Sequence, residues 1–438
     1  MTMTLTPPSL APYMNWLRGA STLRWTGRIS QVVGNLVESE GPFCSVGECC
    51  EIVAANGARM AGEIVGFRDS AVLAMPLEKP HGVRFGDPIT TWGASPTLRV
   101  GPEMLGRVID ATGAPIDSAG EFRAKTKLRL DGAAPLPLER VPIREPLACG
   151  IRAVDAFLTC GRGQRVGIFG GSGVGKSTIL GMMARGTDAD LTVLALVGER
   201  GREVGEFLEE LGEGRKRSVV IVSTSDQSPL LRVRGALAAT TVAEYFCKQG
   251  KNVLLVVDSL TRFAMAQREI GLAAGEPPTA KGYTPSVLSM LSRLVERAGR
   301  FGSGSITAFY TVLMEGDDQQ DPLVDTVRSL LDGHIVLDRA LGSRGHYPAI
   351  SILDSLSRLM PSLCSPEHIE KARSLRTLLA SYQRSEDLIR IGAYQAGTDP
   401  TLDKAIAGLP NLTTFLRQKR EDLSGFQQSL QQLMALPS

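Results

Sequence analysis

The 438-residue sequence predicts an α/β chain in three zones: an N-terminal β-barrel, a central doubly wound domain and a C-terminal α-helical domain. Three observations carry this. Between Trp25 and Trp92, short apolar runs are separated by Gly and Pro punctuation, the spacing of a small barrel. From about residue 150 to 360, apolar runs alternate with helical patterns, and several runs are apolar on both faces, as strands buried between helix layers are. Beyond Ser365 the pattern turns mostly helical. The implied segments are 1–20, a flexible N-terminal stretch; 21–95, the barrel; 96–364, the central domain; and 365–438, the helical domain.

In chain order, residues 1–20 hold Pro7, Pro8 and Pro12 ahead of Tyr13-Met14-Asn15-Trp16-Leu17, the composition of a segment that orders on a partner. Barrel strands are expected at 27–29, 50–53, 63–67 and 71–74. Residues 101–145, rich in Gly and Pro, read as a connector. Central strands are expected at 166–169, 191–197, 219–223, 253–257, 306–310 and 335–337. Ser365-Pro366-Glu367 supplies an N-cap followed by Pro at the first helical position. Ile369, Ala372, Leu375, Leu379 and Tyr382 then share one helical face, with helix stops expected at Gly397 and Pro410.

Composition narrows the class. A net charge of +2 gives no global bias toward nucleic acid or anionic membrane, and no apolar run is long enough to span a bilayer. The first twenty residues lack the basic start and apolar core of a secretory signal. The seven cysteines are scattered with no C-x-x-C pair, so reduced thiols in a cytosolic protein are expected.

The chemistry concentrates in one motif. Gly170-Gly171-Ser172-Gly173-Val174-Gly175-Lys176-Ser177 fits G-x-x-x-x-G-K-[ST], with an apolar strand before it and a helix start from Thr178 after it. Gly171, Ser172, Gly173, Val174, Gly175, Lys176, Ser177 and Thr178 are the candidate phosphate cradle. The glycines let backbone N–H groups close on phosphate oxygens at a helix N-terminus. Lys176 reaches the terminal phosphates, and the Ser177 hydroxyl suits Mg²⁺. Asp258 ends an apolar strand about 80 residues on, where a carboxylate holds Mg²⁺ beside such a loop. Glu199 follows another apolar run, at the strand end where ligands bind in such sheets, and a carboxylate there can orient an attacking water. Arg200 and Arg202 could steady it or contact phosphate; a solvated charged loop would have the same composition.

These motifs, taken with Asp258-Ser259-Leu260-Thr261-Arg262, Gly345-His346-Tyr347-Pro348-Ala349-Ile350 and Leu331-Asp332-Gly333-His334, resemble the rotary ATPase family over roughly residues 20 to 410. The resemblance is closest to the type III secretion ATPases, which include the flagellar export ATPase. It implies a RecA-like central domain, ATP and Mg²⁺ as ligands, and hydrolysis by a homohexamer that energises protein export. It implies that Glu199 is the general base or water-positioning residue and that Arg262 contacts phosphate. By the same likeness Arg358, in Asp354-Ser355-Leu356-Ser357-Arg358, reaches a neighbour's nucleotide, and Tyr347 packs on adenine, although a core tyrosine would read the same. Tyr394 is a further candidate for the base pocket, and 275–285 resembles a loop lining a central channel.

The implied partners are a stator-like regulatory protein at the N-terminal segment, a central coiled-coil stalk, export-gate membrane proteins, and export substrates with their chaperones. The implied place is the cytoplasmic face of the inner-membrane export apparatus, without nucleic acid. Ser177-Thr178 matches the secretion branch, and Asp317-Asp318-Gln319-Gln320-Asp321-Pro322 resembles the flagellar form more than the injectisome form. Two rivals are a hexameric RNA translocase and a non-catalytic nucleotide-binding scaffold. The first needs a basic, aromatic nucleic-acid module that 25–92 lacks, and Glu199 argues against the second.

Overall fold

A computed structural model describes Met14 and residues 23–314 and 321–437. The expectations for 1–20 and for Asp317 to Gln320 fall outside the described residues, apart from Met14. The chain divides into two compact units, one holding the barrel with Leu272–Glu276, the other holding Leu98–Gly271 and Pro277–Ser438.

The barrel has six strands: β1 (Trp25–Val33), β2 (Leu36–Glu40), β3 (Cys49–Val53), β4 (Arg59–Arg68), β5 (Ala71–Pro76) and β6 (Pro88–Thr91). They close in the order β1-β2-β5-β4-β3-β6, with β6 returning to β1. Alternate residues point inward, and Ile29, Val37, Ile52, Met60, Ile64, Val72 and Ile89 fill the interior. Register shifts at Ile29/Gln31 and Ile64/Gly66 mark bulges, which bend strands into a closed barrel. All four expected strands exist and are longer than read. β2 and β6 were missed: β2 carries two glutamates in five residues and β6 opens on Pro88, so neither has a clear apolar period.

The second unit is built on one sheet. Its strands run Ile350–Ser357, Gly333–Leu337, Arg165–Gly170, Ser305–Leu313, Asn252–Asp258, Leu191–Glu199, Ser218–Thr224 and Val108–Asp110 in spatial order, with the two-residue strand Gly299–Arg300 beside Ser305–Leu313. Pairing along this path is parallel except for Ile350–Ser357, which runs antiparallel at one edge. The central strands are buried almost end to end, as the two-sided apolar runs require. All six expected strands are present. The connector reading needs correction, because Val108–Asp110 leaves it to pair with Ser218–Thr224 at the other edge. Three residues whose partners lie about a hundred positions away carry no local signal.

Three helices follow: Pro366–Arg390, Pro400–Leu416 and Phe426–Met434. They share one apolar core with the sheet domain, in which the Phe157 and Phe415 rings meet at 6.2 Å. Ser365 caps the first helix by accepting from the His368 N–H. Its buried line is His368, Ala372, Leu375, Leu378 and Ser381, so Leu379 and Tyr382 sit half-buried at the edge of the expected face. Pro410 does not stop the next helix; it lies inside Pro400–Leu416. A mid-helix proline costs about 3 kcal/mol. Leu402, Ala405, Leu412, Phe415 and Leu416 are buried on both sides of it, and that burial outweighs the loss.

Within the barrel, Gly27 touches backbone. A Cβ placed there would lie 2.2 Å from the Gly41 carbonyl carbon, and backbone cannot rotate away. Gly27→Ala should therefore destabilise the barrel by about 1–3 kcal/mol. Hydrogen exchange of barrel amides measures this, and unchanged protection in the variant would contradict the close approach.

Candidate active site

The carboxyl ends of three parallel strands meet at a cleft of about 360 Å³. Arg165–Gly170 runs into the glycine-rich loop, Leu191–Glu199 ends on Glu199, and Asn252–Asp258 ends on Asp258. In open parallel sheets ligands bind at these ends. Gly173 and Gly175 take φ of +77° and +94°, left-handed angles that glycine adopts freely, and helix Lys176–Gly186 begins immediately after them. Ser172, Gly173, Gly175, Lys176, Ser177 and Thr178 line the cleft with Glu199, Glu203, Asp258, Ser259, Arg262 and Leu313. Gly171 and Val174 are buried behind the loop.

Hydrogen bonds fix each charged group. Lys176 Nζ donates to the Gly170 carbonyl at 3.0 Å and to that of Gly171, so it lies folded over its own loop. Thr311, one strand over, donates its hydroxyl to Asp258 Oδ1 at 2.5 Å. Arg262 grips Glu199 with two nitrogens, Nε to Oε1 at 3.1 Å and a terminal nitrogen to Oε2 at 3.3 Å, and also donates to the Gly198 carbonyl. Gly198 is in the left-handed region, and a Cβ there would stand 2.9 Å from Arg262 Cδ, so the arginine lies directly across this glycine. Thr261 accepts from the Leu313 N–H at 2.8 Å, which anchors the start of the Arg262 helix to the neighbouring strand.

The cleft crowds like charges. Burial pushes Glu199 up to about 8, helped by a hydrogen bond with Glu203 and by the charge of Asp258, while Arg262 opposes the shift. Glu203 moves the other way, because it gains the Glu199 hydrogen bond; the more buried carboxyl of the pair keeps the proton. Asp258 is also raised by burial, against the Thr311 hydrogen bond and the charges of Lys176 and Arg262. Burial lowers Lys176. Two hard oxygen donors, the Ser177 hydroxyl and the buried Asp258 carboxylate, face a space that would hold phosphate oxygens. That donor set fits Mg²⁺, which keeps few protein ligands, and a cation would return the raised carboxyls to their charged forms.

Some expected residues lie elsewhere. Arg200 occupies the N-cap position of helix Gly201–Leu211 without a side-chain cap bond, its side chain 79% exposed and 4.0 Å from Glu203, and it does not line the cleft. Tyr347 also lies outside the lining and is 54% exposed. Its carbonyl accepts from the Gln418 N–H at 2.9 Å, and Gln418 is clamped to Gly150 and Arg152. Tyr394 ties down a helix–helix loop by donating to Asp403 at 2.8 Å. Arg358 is exposed and follows the antiparallel edge strand. Its N–H donates to the Asp332 carbonyl, and the Asp332 N–H donates to that of Arg165, so Arg358 sits at the amino end of the sheet. The cleft is at the other end. The six-residue strand Arg165–Gly170 alone spans about 16 Å, more than an arginine reaches, so Arg358 cannot serve the cleft of its own chain. Glu203 and Thr311 were missed. Glu203, four residues after Glu199 at a helix start, carried a weak signal; Thr311, inside an apolar strand, carried none.

Comparison with known proteins agrees with this architecture. The nucleotide-binding domain of the ATP synthase alpha/beta family matches residues 150–357, the beta-barrel domain of that family matches 29–93, and the T3SS EscN ATPase C-terminal domain matches 364–435. The flagellum-specific ATP synthase of Bacillus subtilis is 49% identical over 414 residues, 94% of each chain. The type 3 secretion system ATPase of Sinorhizobium fredii is 44% identical over 434 residues, covering 98% of this chain and 96% of that one. The assembled ATPase EscN of the enteropathogenic E. coli type III secretion system superposes with a TM-score of 0.89 at 44% identity, covering 93% of this chain and 98% of that one. EscN in complex with its central stalk EscO gives 0.86 at 43% identity, with the same coverage. With the barrel, the phosphate-binding cleft and the helical domain all matched in one chain, this protein belongs to the ATP synthase alpha/beta family, on the branch of the flagellum-specific and type III secretion ATPases, and is an ATP-hydrolysing enzyme.

Proposed function

We propose that the chain hydrolyses Mg²⁺-bound ATP as a homohexameric ring that energises type III protein export, releasing chaperones from export substrates and unfolding them. The observation that carries this is the cleft itself, where Lys176, Ser177, Glu199, Asp258 and Arg262 converge while Arg358 lies at the far end of the sheet. Lys176 leaves its loop carbonyls to bind terminal phosphates. Ser177 and Asp258 hold Mg²⁺, which when bound neutralises charge developing on the transferred phosphoryl group. Glu199 orients the attacking water and takes its proton. Arg262 holds Glu199 until a phosphate oxygen competes for the guanidinium. Arg358 completes the site of the next subunit, and Tyr347 packs on adenine. The segments 1–20, 21–95, 96–364 and 365–438 are then a regulator-binding tail, a barrel, the ATP-hydrolysing domain and a helical domain.

The flagellar form is favoured. The sequence at 317–322 supports this; identity does not discriminate, since relatives named flagellum-specific are 45–50% identical and type III secretion ATPases 43–49%. The assembled EscN and its stalk complex support a ring around a coiled-coil stalk. The regulator, export-gate proteins and place at the membrane's cytoplasmic face follow from the same reading; among the described residues no helix is long and apolar enough to cross a membrane. Restoration of motility in a strain lacking its flagellar ATPase separates this from the injectisome reading.

Glu199→Gln should bind ATP with near-normal affinity and lose about 10²–10⁴-fold in turnover, whereas Lys176→Ala should weaken binding itself. Equilibrium binding and phosphate release distinguish them; a fully active Glu199→Gln removes the assignment.

Because Glu199 must be ionised to accept a proton, kcat/KM should climb with pH through an inflection near 8, the position set by burial in the free enzyme. Glu203→Gln removes the partner that holds the proton on Glu199, so the inflection should move to lower pH. A profile that is flat from about pH 6 to 9, or unmoved by Glu203→Gln, contradicts this role.

Arg358→Ala should retain ATP binding and lose about 10³–10⁵-fold in rate. Mixed with Glu199→Gln, it should regain part of the activity, because some Arg358→Ala sites then borrow an intact arginine from a Glu199→Gln neighbour. The measurement is phosphate release against mixing ratio with subunit exchange verified; verified mixed rings as inactive as either parent exclude a shared site.

A further inference from the structure

Strand Ser305–Leu313 lies between the strand that delivers the phosphate loop and the strand that ends on Asp258. On one side Thr311 pairs with Ile168 and Leu313 with Gly170. On the other side Tyr310 pairs with Val257, which brings Thr311 abreast of Asp258. Two further bonds pin the end of this strand. The Leu313 N–H donates to Thr261 at 2.8 Å, and the Met314 N–H donates to the Gly170 carbonyl at 3.2 Å. The loop, Asp258 and the helix bearing Arg262 are thus all referenced to one strand.

Thr311 is fully buried among Phe309, Tyr310 and Val312. A valine has the same branched shape, so packing does not explain the hydroxyl, and a buried hydroxyl is costly unless it is bonded. Its proton has two acceptors in reach: Asp258 Oδ1 at 2.5 Å and the Val257 carbonyl at 3.5 Å. The first distance is that of a hydroxyl on a carboxylate, and the second is at the outer limit of a hydrogen bond. Among the described residues, Thr311 is also the only group that donates a hydrogen bond to the Asp258 carboxylate. Lys176 and Arg262 act on it by charge alone, because their nitrogens are bonded to loop carbonyls and to Glu199. Thr311 itself does not line the cleft, whereas Asp258 does. One carboxylate oxygen is therefore held from inside the sheet while the other stays available to the cleft.

We infer that Thr311 is a positioning residue, which locks the Asp258 carboxylate so that the nucleotide affinity gained from Mg²⁺ depends on the Thr311 hydroxyl. The inference rests on the reading of Asp258 as a Mg²⁺ ligand and adds to it the group that orients that ligand. A carboxylate free to rotate has to be fixed when the metal enters, and this one is fixed beforehand. Removing such an orienting partner typically costs about 10–100-fold in metal affinity. If Thr311 only satisfied a buried carboxylate, its loss would lower stability and leave the Mg²⁺ effect as it is.

The test is calorimetric titration of the full chain with the non-hydrolysable ATP analogue AMP-PNP, in excess Mg²⁺ and in EDTA. Wild type should bind more tightly in Mg²⁺. Thr311→Val keeps the shape and removes the donor. It should leave the EDTA affinity unchanged and lose about tenfold or more of the affinity in Mg²⁺. Thr311→Ser, which keeps the hydroxyl, should restore the wild-type ratio. Thr311→Ala replaces the valine variant if that one does not fold. Asp258→Asn reports on the underlying reading and should lose the Mg²⁺ effect. Loss in Asp258→Asn with a wild-type ratio in Thr311→Val overturns the role of Thr311 and leaves the metal reading standing. A wild-type ratio in Asp258→Asn removes Asp258 as a metal ligand, and the inference with it. Equal weakening of Thr311→Val in Mg²⁺ and in EDTA, or no rescue by serine, makes Thr311 a packing residue only and overturns the inference as well.

Discussion

Two carboxyl groups, Glu199 and Asp258, end adjacent parallel strands, and both are forced upward in pKa by burial at the same cleft. Two cations face them, Lys176 and Arg262, and both are bonded to protein: Lys176 to its loop carbonyls, Arg262 to Glu199 and Gly198. This is a stressed arrangement. Its charges are better satisfied once a metal and a polyanion enter, because the metal offsets the repulsion among the carboxyls and phosphate oxygens give Lys176 a charged partner in place of loop carbonyls. The rest of the unit serves to hold these four side chains in register.

The sheet does that by burial. Strands apolar on both faces cannot slip without exposing a face, so the ends of Arg165–Gly170, Leu191–Glu199 and Asn252–Asp258 arrive together. Cross-strand threonines refine the placement: Thr311 aims the Asp258 carboxylate, and Thr261 ties the Arg262 helix to Leu313. The C-terminal helices are fixed to the same body through the Phe157–Phe415 contact and through Arg152, which donates to the Phe415 and Arg417 carbonyls. The segment carrying Gln418 is therefore seated against Tyr347 by the core and not by a loop free to wander.

The edge strand Ile350–Ser357 gives the unit two different faces. Its antiparallel course carries the chain back to the amino end of the sheet and delivers Arg358 there, away from the phosphate cleft. Near its start it forms one wall of a second cavity, against the C-terminal helices. One strand thus separates the chain's own chemistry from the surface offered outward.

Local sequence determined the phosphate loop, the six central strands and the Ser365 cap, because each is written in adjacent residues: glycines before Lys-Ser, unbroken apolar runs, a Ser-Pro step. Lys176, Glu199 and Asp258 were legible for the same reason, being attached to those elements, and Arg262 through likeness to a known family. Only the tertiary structure decided the rest. Val108–Asp110 became a strand through a partner about a hundred residues away, and Pro410 stayed inside a helix because burial on both sides exceeded the lost hydrogen bond. Thr311 joined the cleft through register with a neighbouring strand, and the cavity beside His346 exists only where strand and helices fail to close on each other. Short-range chemistry is encoded residue by residue, whereas pairing, register and voids depend on which distant segments share a core.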